Sequence, residues 1–347
     1  MKLLVFEFAT AMGLDDPNIS AEGHAMLYGL LEDLKDLNTY HLVSDDSQSE
    51  NSESIQVVLK GDIGEWLHKN IKDYDICFPI APEESNILHD LTLIIEEEGV
   101  EIIGSSSKAV KLTTNKFNTY NVLKDKFPVI KTEKIYFNDS ERKNSECKNS
   151  YQELFKSSSP KVVKPADGVS CSGVIVVNSY NELMVAQDKI KILTKLPYFI
   201  LQDYVSGVNV SVSLLSNGYS AVPLSLNFQD VHLSSGEINY SGGKVPIEHD
   251  LSEIAMETAK NAVESIEGLK GYIGVDMILN KERNKVYIVE INSRLTTPYV
   301  ALRSIINFNL GEAVINSVHG ELPAEVILDG EVNFCKEDNN LRVSVLK

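Results

Sequence analysis

The first hundred residues alternate short apolar strands with amphipathic helices, and this alternation limits the fold more than any other feature of the chain. Strand patterns fall at 3–8, 55–59, 75–79 and 101–103, and helical patterns at 20–34, 61–70 and 82–98. Leu88, Leu91, Ile94 and Ile95 share one face of the last helix, with Pro82 in its first turn and Gly99 as its stop. Strands that alternate with helices imply a parallel sheet covered by helices. Such sheets bind ligands beyond the carboxyl ends of their strands. Two segments occupy that position: residues 9–20 after the first strand, and Ile80-Ala81-Pro82-Glu83-Glu84 after the third. Glu83 and Glu84 read equally well as first-turn carboxylates that favour the helix dipole.

The chain has 347 residues, too many for one core, so two or three packed units are expected. Residues 138–159 are dominated by Ser, Asn, Lys and Glu and read as a surface excursion. A second α/β segment follows, with strands at 161–164 and 174–177 and a helix opened by the capping box Ser179-Tyr180-Asn181-Glu182. From Phe199 onward the pattern becomes strand-rich. Strands at 209–215 and 219–226 flank Ser216-Asn217-Gly218, a hairpin signal. A helix at 251–266 precedes two strands at 272–279 and 285–292, and no internal repeat is visible.

Composition removes several function classes. Formal net charge is −18 with no basic stripe, which argues against nucleic-acid binding. No run approaches 18 apolar residues, so no transmembrane helix is expected. Glu7 interrupts the N-terminal apolar run and no small-residue cleavage site follows, so residues 3–8 read as a core strand and not as a leader. Cys77, Cys147, Cys171 and Cys335 are scattered without CxxC pairing. That pattern fits neither a zinc site nor a secreted disulfide scaffold, and a reducing cytoplasm suits it best.

Two segments carry chemistry. If strands 272–279 and 285–292 pair antiparallel across residues 280–284, Asp276 lies opposite Glu290, and Asn292 shares the face of Glu290. Val275, Met277, Val289 and Ile291 make the other face apolar. Like charges placed opposite each other are unfavourable, and two carboxylates with an amide oxygen are hard ligands for Mg²⁺. A half-exposed hairpin with solvated carboxylates satisfies the same pattern. The second segment is Lys161-Val162-Val163-Lys164-Pro165-Ala166-Asp167-Gly168-Val169-Ser170-Cys171-Ser172-Gly173. A lysine ends a β-branched strand and meets a small-residue loop whose N–H groups could cradle phosphate. It is not the GxxxxGK[ST] loop, because the lysine precedes the glycines.

Taken in order, Lys116, Lys164-Pro165 with its glycine loop, Gln202-Asp203-Tyr204-Val205-Ser206-Gly207, Asp276 and Glu290-Ile291-Asn292-Ser293-Arg294 resemble the ATP-grasp superfamily over essentially the whole chain. The resemblance implies two α+β lobes that clasp ATP, preceded by a parallel-sheet α/β domain. The implied units are 1–104, a central lobe at 105–198 with the phosphate loop, and a C-terminal lobe at 199–347 with the metal site. It further implies that Lys116 and Lys164 hold the ATP phosphates and that residues 167–173, with Gly168, Ser170, Ser172 and Gly173, form a mobile loop over them. Gln202, Asp203, Tyr204 and Val205 would link the two lobes, with the Asp203 carbonyl and the Val205 N–H reading adenine. Asp276, Glu290 and Asn292 would hold Mg²⁺ or Mn²⁺, and Arg294 would steady the transferring phosphoryl group. One departure is Asn209, where many members place a glutamate for the ribose hydroxyls.

Ile80-Ala81-Pro82-Glu83, Leu224-Ser225-Leu226-Asn227-Phe228-Gln229, Tyr240-Ser241-Gly242-Gly243 and the run from Glu290 to Tyr299 resemble one branch of that superfamily. Its members join the γ-carboxyl of glutamate to the amine of tyramine in methanofuran biosynthesis. The activity implied is an ADP-forming carboxylate–amine ligase acting through an acyl phosphate. Small-molecule carboxylate and amine substrates are its expected partners, with no nucleic acid or membrane, and a homodimer is left open. Glu83 is expected to pair a substrate ammonium, Arg294 or Arg303 a carboxylate, and Gln229 and Tyr240 to close the pocket. The alternatives are another amino-acid or peptide ligase, a bicarbonate-using carboxylase and a non-catalytic nucleotide sensor.

Overall fold

A computed structural model describes residues 1–14, 17–45, 53–137, 154–155, 159–337 and 340–346. Most of the polar stretch 138–159, including Cys147, lies outside them. The N-terminal strands are β1 (Leu3–Glu7), β2 (Thr39–Ser44), β3 (Ile55–Leu59), β4 (Ile76–Ile80) and β5 (Glu101–Ile102). They form a five-stranded sheet in the order β3-β2-β1-β4-β5, with every pairing parallel. Every residue of β1 and β4 is buried, as central strands covered on both faces must be. The carboxyl ends of both strands, Glu7 and Ile80, meet the crevice where ligands of open parallel sheets bind.

The alternation held, with informative differences. Strand β2 was not anticipated. The first strand was expected to run to Phe8, but Phe8–Met12 is helical because the Glu7 carboxylate accepts hydrogen bonds from Ala9 N–H and Thr10 N–H. The helix expected from Pro82 starts at Ile87, because Ser85 and Asn86 take φ of 53° and 63°. Left-handed residues cannot propagate an α-helix, so this segment begins as a 3₁₀ turn, Glu84–Asn86.

The second sheet contains β6 (Thr132–Tyr136), β7 (Lys161–Pro165), β8 (Ile175–Val177), β9 (Tyr198–Asp203), β10 (Val208–Asn217), β11 (Ala221–Ser234), β12 (Glu237–Val245), β13 (Lys270–Asn280), β14 (Lys285–Asn292), β15 (Glu331–Glu337) and β16 (Asn340–Leu346). Its order is β14-β13-β10-β11-β12-β8-β7-β9-β6, with β15 on β12 and β16 on β15. Strands β6, β12, β15 and β16 were not anticipated. The capping box is present: Ser179 Oγ accepts from Glu182 N–H at 3.2 Å, and the Glu182 carboxylate accepts from Asn178 N–H. The helix Ser252–Glu264 lays Ala255, Ala259, Ala262 and Val263 on the sheet. Small side chains at this spacing let the helix axis approach Val212, Ile273 and Val275 closely, and together they form a buried core.

A further core joins the two sheets. Leu27 and Leu30 of the helix Pro17–Asp33, with Leu34 just past its end, pack with Tyr299, Leu302, Leu310 and Phe334. At its edge the Asp33 carboxylate accepts from Tyr299 Oη at 2.5 Å and from Arg303 Nε at 2.9 Å. The N-terminal sheet is therefore fixed against the larger one, and its strand ends face β10 to β14 across a cavity.

Candidate active site

The cavity measures about 290 Å³ and runs from the ends of β1 and β4 to the inner face of the large sheet. Strand pairing places Asp276 directly opposite Glu290 and Gly274 opposite Asn292, as the hairpin pattern predicted. A bulge between Asp276 and Met277 re-aims the strand there. Gln229 Nε2 donates to Asp276 Oδ1 at 3.0 Å, and Asn292 Nδ2 donates to Oδ2 at 3.4 Å. Lys116 Nζ lies 3.1 Å from Glu290 Oε2 and donates to the Gly168 carbonyl at 2.5 Å. Lys164 is buried at the end of β7.

The electrostatics of this cluster follow from burial. Loss of water raises the Asp276 pKa, and the facing Glu290 charge raises it further. Burial also opposes the charge of Glu290, but the ammonium groups of Lys116 and Lys164 outweigh it and hold that carboxyl below its usual range. Burial pulls the Lys164 pKa down, against the attraction of Glu290. Two carboxylates and two lysines thus meet with strong mutual fields, and burying such a set is costly unless charges are matched. Among the described residues no three His, Cys, Asp or Glu side chains cluster as metal ligands. The third oxygen donor here is the Asn292 amide. Two carboxylates and an amide suit a hard divalent cation, and a cation would relieve the repulsion between Asp276 and Glu290.

The phosphate-loop candidates surround the same space. Gly168, Ser170 and Ser172 line the cavity, whereas Gly173 does not. Ser170 and Cys171 take φ of 51° and 60°, and Ser172 N–H closes a turn on the Val169 carbonyl at 2.9 Å. Asp167 is anchored by Thr194 Oγ1 at 2.6 Å. Gln202, Asp203, Tyr204, Val205 and Asn209 also line the cavity. The Gln202 side chain donates to Thr132 Oγ1 at 2.8 Å, and the Asp203 carboxylate pairs with Lys161 at 2.6 Å. A Cβ on Gly207 would lie 2.4 Å from the Leu279 carbonyl, so only glycine lets the chain pass β13 here.

The substrate candidates divide. Gln229, Tyr240 and Arg294 line the cavity, whereas Glu83 and Arg303 do not. Glu83 was expected to pair a substrate ammonium, but it accepts from Arg294 Nε at 2.8 Å and is almost completely buried. Burial works against the Arg294 charge, and the Glu83 carboxylate more than restores it. Arg303 was a candidate carboxylate partner, and its guanidinium is held by Asp33 instead. Conversely, Glu7 and Glu22 line the cavity and were not anticipated. Glu7 ends β1, where the strand-end rule already pointed. Glu22 lies within a helix, and no local pattern marks it.

The family of the ATP-grasp domain matches residues 113–298, and that of the pre ATP-grasp 3 domain matches residues 41–110. The chain belongs to the ATP-grasp family, as a carboxylate–amine ligase that binds ATP, in a family that typically works with a divalent metal. It is 32% identical over 329 residues to the tyramine–L-glutamate ligase of Methanocaldococcus jannaschii, spanning 92% of this chain and 90% of that protein. To the tyramine–L-glutamate ligase of Methanocaldococcus fervens it is 33% identical, over 92% and 94% of the two chains. The L-amino acid ligase of Bacillus licheniformis superposes with a TM-score of 0.69 at 14% identity, over 96% of this chain and 79% of that one, a likeness of fold alone. Among the described residues no helix is long and apolar enough to cross a membrane.

Proposed function

We propose that this ligase joins the γ-carboxyl of L-glutamate to the amine of tyramine, with ATP converted to ADP and phosphate. The observation that carries the reading is one continuous cavity in which Lys116, Lys164, Asp276, Glu290 and Arg294 meet residues from the N-terminal strand ends. Similarity to two tyramine–L-glutamate ligases over 92% of the chain supports this donor and acceptor.

A carboxylate is a poor acylating agent because it is negatively charged and lacks a good leaving group. Transfer of the γ-phosphoryl group to it gives an acyl phosphate, and amine attack on that carbonyl expels phosphate. In this reading Lys116 and Lys164 hold the nucleotide phosphates, and Arg294, held by Glu83, faces the transferring group. These residues supply charge and position. Gln202 to Val205, through the Asp203 carbonyl and the Val205 N–H, read adenine, and Asn209 takes the ribose end. Residues 167–173 close over the phosphates and keep water from the intermediate. Asp276, Glu290 and Asn292 would hold Mg²⁺ or Mn²⁺, which when bound offsets charge on the phosphate oxygens. The division of the chain into units at 1–104, 105–198 and 199–347 belongs to the same reading, as does action in the cytoplasm.

The test is ADP release with ATP and Mg²⁺ or Mn²⁺, scored across pairs of carboxylates and amines. Release that requires glutamate and tyramine together is the expected result. Release that ignores the amine, or that needs bicarbonate in place of an amino acid, rejects it.

A further inference from the structure

Three acidic side chains approach the N-terminal side of the site, and they are not equivalent. Glu7 is fully engaged: Oε1 accepts from Ala9 N–H at 3.1 Å, and Oε2 accepts from Thr10 N–H and Thr10 Oγ1, each at 2.8 Å. Gly23 leaves the space that Glu7 fills, since a Cβ there would lie 2.4 Å from the Glu7 carboxyl carbon. Glu83 gives Oε2 to Arg294 and leaves its own buried Oε1 without a hydrogen bond, but it does not line the cavity. Glu22 differs from both. It lines the cavity at 8% exposure, and its buried Oε1 accepts no hydrogen bond. A buried carboxylate oxygen without a hydrogen bond has capacity for one more donor.

The cation nearest Glu22 comes from the far end of the chain. Lys336 Nζ, on β15, lies 3.2 Å from Glu22 Oε1, within range of charge attraction but outside hydrogen-bond angles. The same ammonium sits 5.3 Å from the centre of the Tyr240 ring. Tyr240 lines the cavity beside Glu22, as does Thr297. Residue 336 lies beyond the stretch 113–298 that the ATP-grasp domain matches, so the hairpin β15–β16 adds a charge to this wall from outside the grasp.

We propose that Glu22, with Lys336 as its positioning residue, binds the spectator ammonium of an α-amino-acid donor. The choice between donor and acceptor follows from charge. The acceptor amine must be neutral when it attacks, and an ionised carboxylate beside it would favour the protonated form. Such a group suits a cation that keeps its proton throughout, which the α-ammonium of an amino-acid donor does. Glutamate as the donor rests on the function proposed above. The assignment to Glu22 needs only that the donor be an α-amino acid.

The experiment compares the full-length wild type and Glu22→Gln with a panel of α-amino acids and their deaminated counterparts, glutamate and glutarate first, with tyramine as amine. In the wild type, the amino acid is favoured over its deaminated form. In Glu22→Gln, kcat/KM for the amino acid falls roughly 10- to 100-fold, the scale of one hydrogen bond to a charged group. The deaminated acid is unaffected, and the KM values for ATP and tyramine stay within about twofold. Those two KM values also report folding, and Glu22→Asp, which keeps the charge, retains part of the discrimination. Lys336→Met weakens the same preference and Lys336→Arg restores it. A different α-amino acid used by the wild type with the same dependence on Glu22 overturns glutamate as the donor and keeps this assignment. Equal loss for amino acid and deaminated acid, a rise in the KM of tyramine alone, or a wild type indifferent to the α-ammonium overturns it.

Discussion

Asp276 and Glu290 face each other across two strands, and a carboxylate pair in that position is costly unless something positive shares it. Of the two carboxylates, Lys116 pairs with Glu290, at 3.1 Å. Glu290→Gln keeps the shape and removes the charge that both lysines answer. Turnover is expected to fall roughly 10²- to 10³-fold, the scale of losing one electrostatic stabiliser. A kcat near wild type at saturating ATP and divalent cation would remove Glu290 from the reaction. Glu83 acts through Arg294, so Glu83→Gln should leave a buried guanidinium without its counter-charge. We expect kcat to drop with little change in the KM for ATP, and unfolding in urea to ease by about 3 kcal/mol. An unchanged urea midpoint would mean that the Nε–Oε2 contact at 2.8 Å contributes nothing.

At the level of elements, the turn between β7 and β8 concentrates what a moving segment needs. It carries glycines at 168 and 173 and left-handed Ser170 and Cys171. Its fixed point is Asp167, bonded to Thr194. Backbone amides at 169–173 are expected to exchange with solvent faster without nucleotide than with an ATP analogue and divalent cation. Equal exchange in both states would mean that the turn does not close. The hairpin β13–β14 was legible from sequence because alternation of apolar and polar residues has period two, so register and face follow from a few neighbours. The start of the helix at Ile87 was not. Pro82 is a common first-turn residue, and nothing local showed that Ser85 and Asn86 would take positive φ.

For the whole molecule, the site exists because two sheets are held at a fixed distance. Asp33 fastens them through Tyr299 and Arg303, which lie 266 and 270 positions away in sequence. Asp33→Ala leaves the Arg303 guanidinium uncompensated at a largely buried contact. Stability to urea is expected to fall by about 3 kcal/mol. The KM for the amino-acid donor should rise more than that for ATP, because the strand ends carrying Glu7 and Ala81 would lose their seat while β7, β13 and β14 stay paired. Equal increases in both would place the nucleotide on the N-terminal sheet as well.

Local chemistry in the sequence determined the strand–helix alternation of the N-terminal sheet apart from β2 and the short helix Phe8–Met12, the turn at Ser216-Asn217-Gly218, the pairing of Asp276 with Glu290 and the capping box at Ser179. Each depends on residues no farther apart than neighbouring elements of the chain, where side-chain periodicity and backbone preference dominate. Partnerships across long stretches of chain were decided only by the tertiary structure. Glu83 meets Arg294 across 211 positions, Arg303 turns away from the cavity to Asp33, and Lys336 arrives beside Glu22 on a hairpin with no marked signal. A buried charge settles on whichever opposite charge the packed core brings within a few ångströms, and that neighbour is set by how helices and sheets stack, not by spacing along the chain.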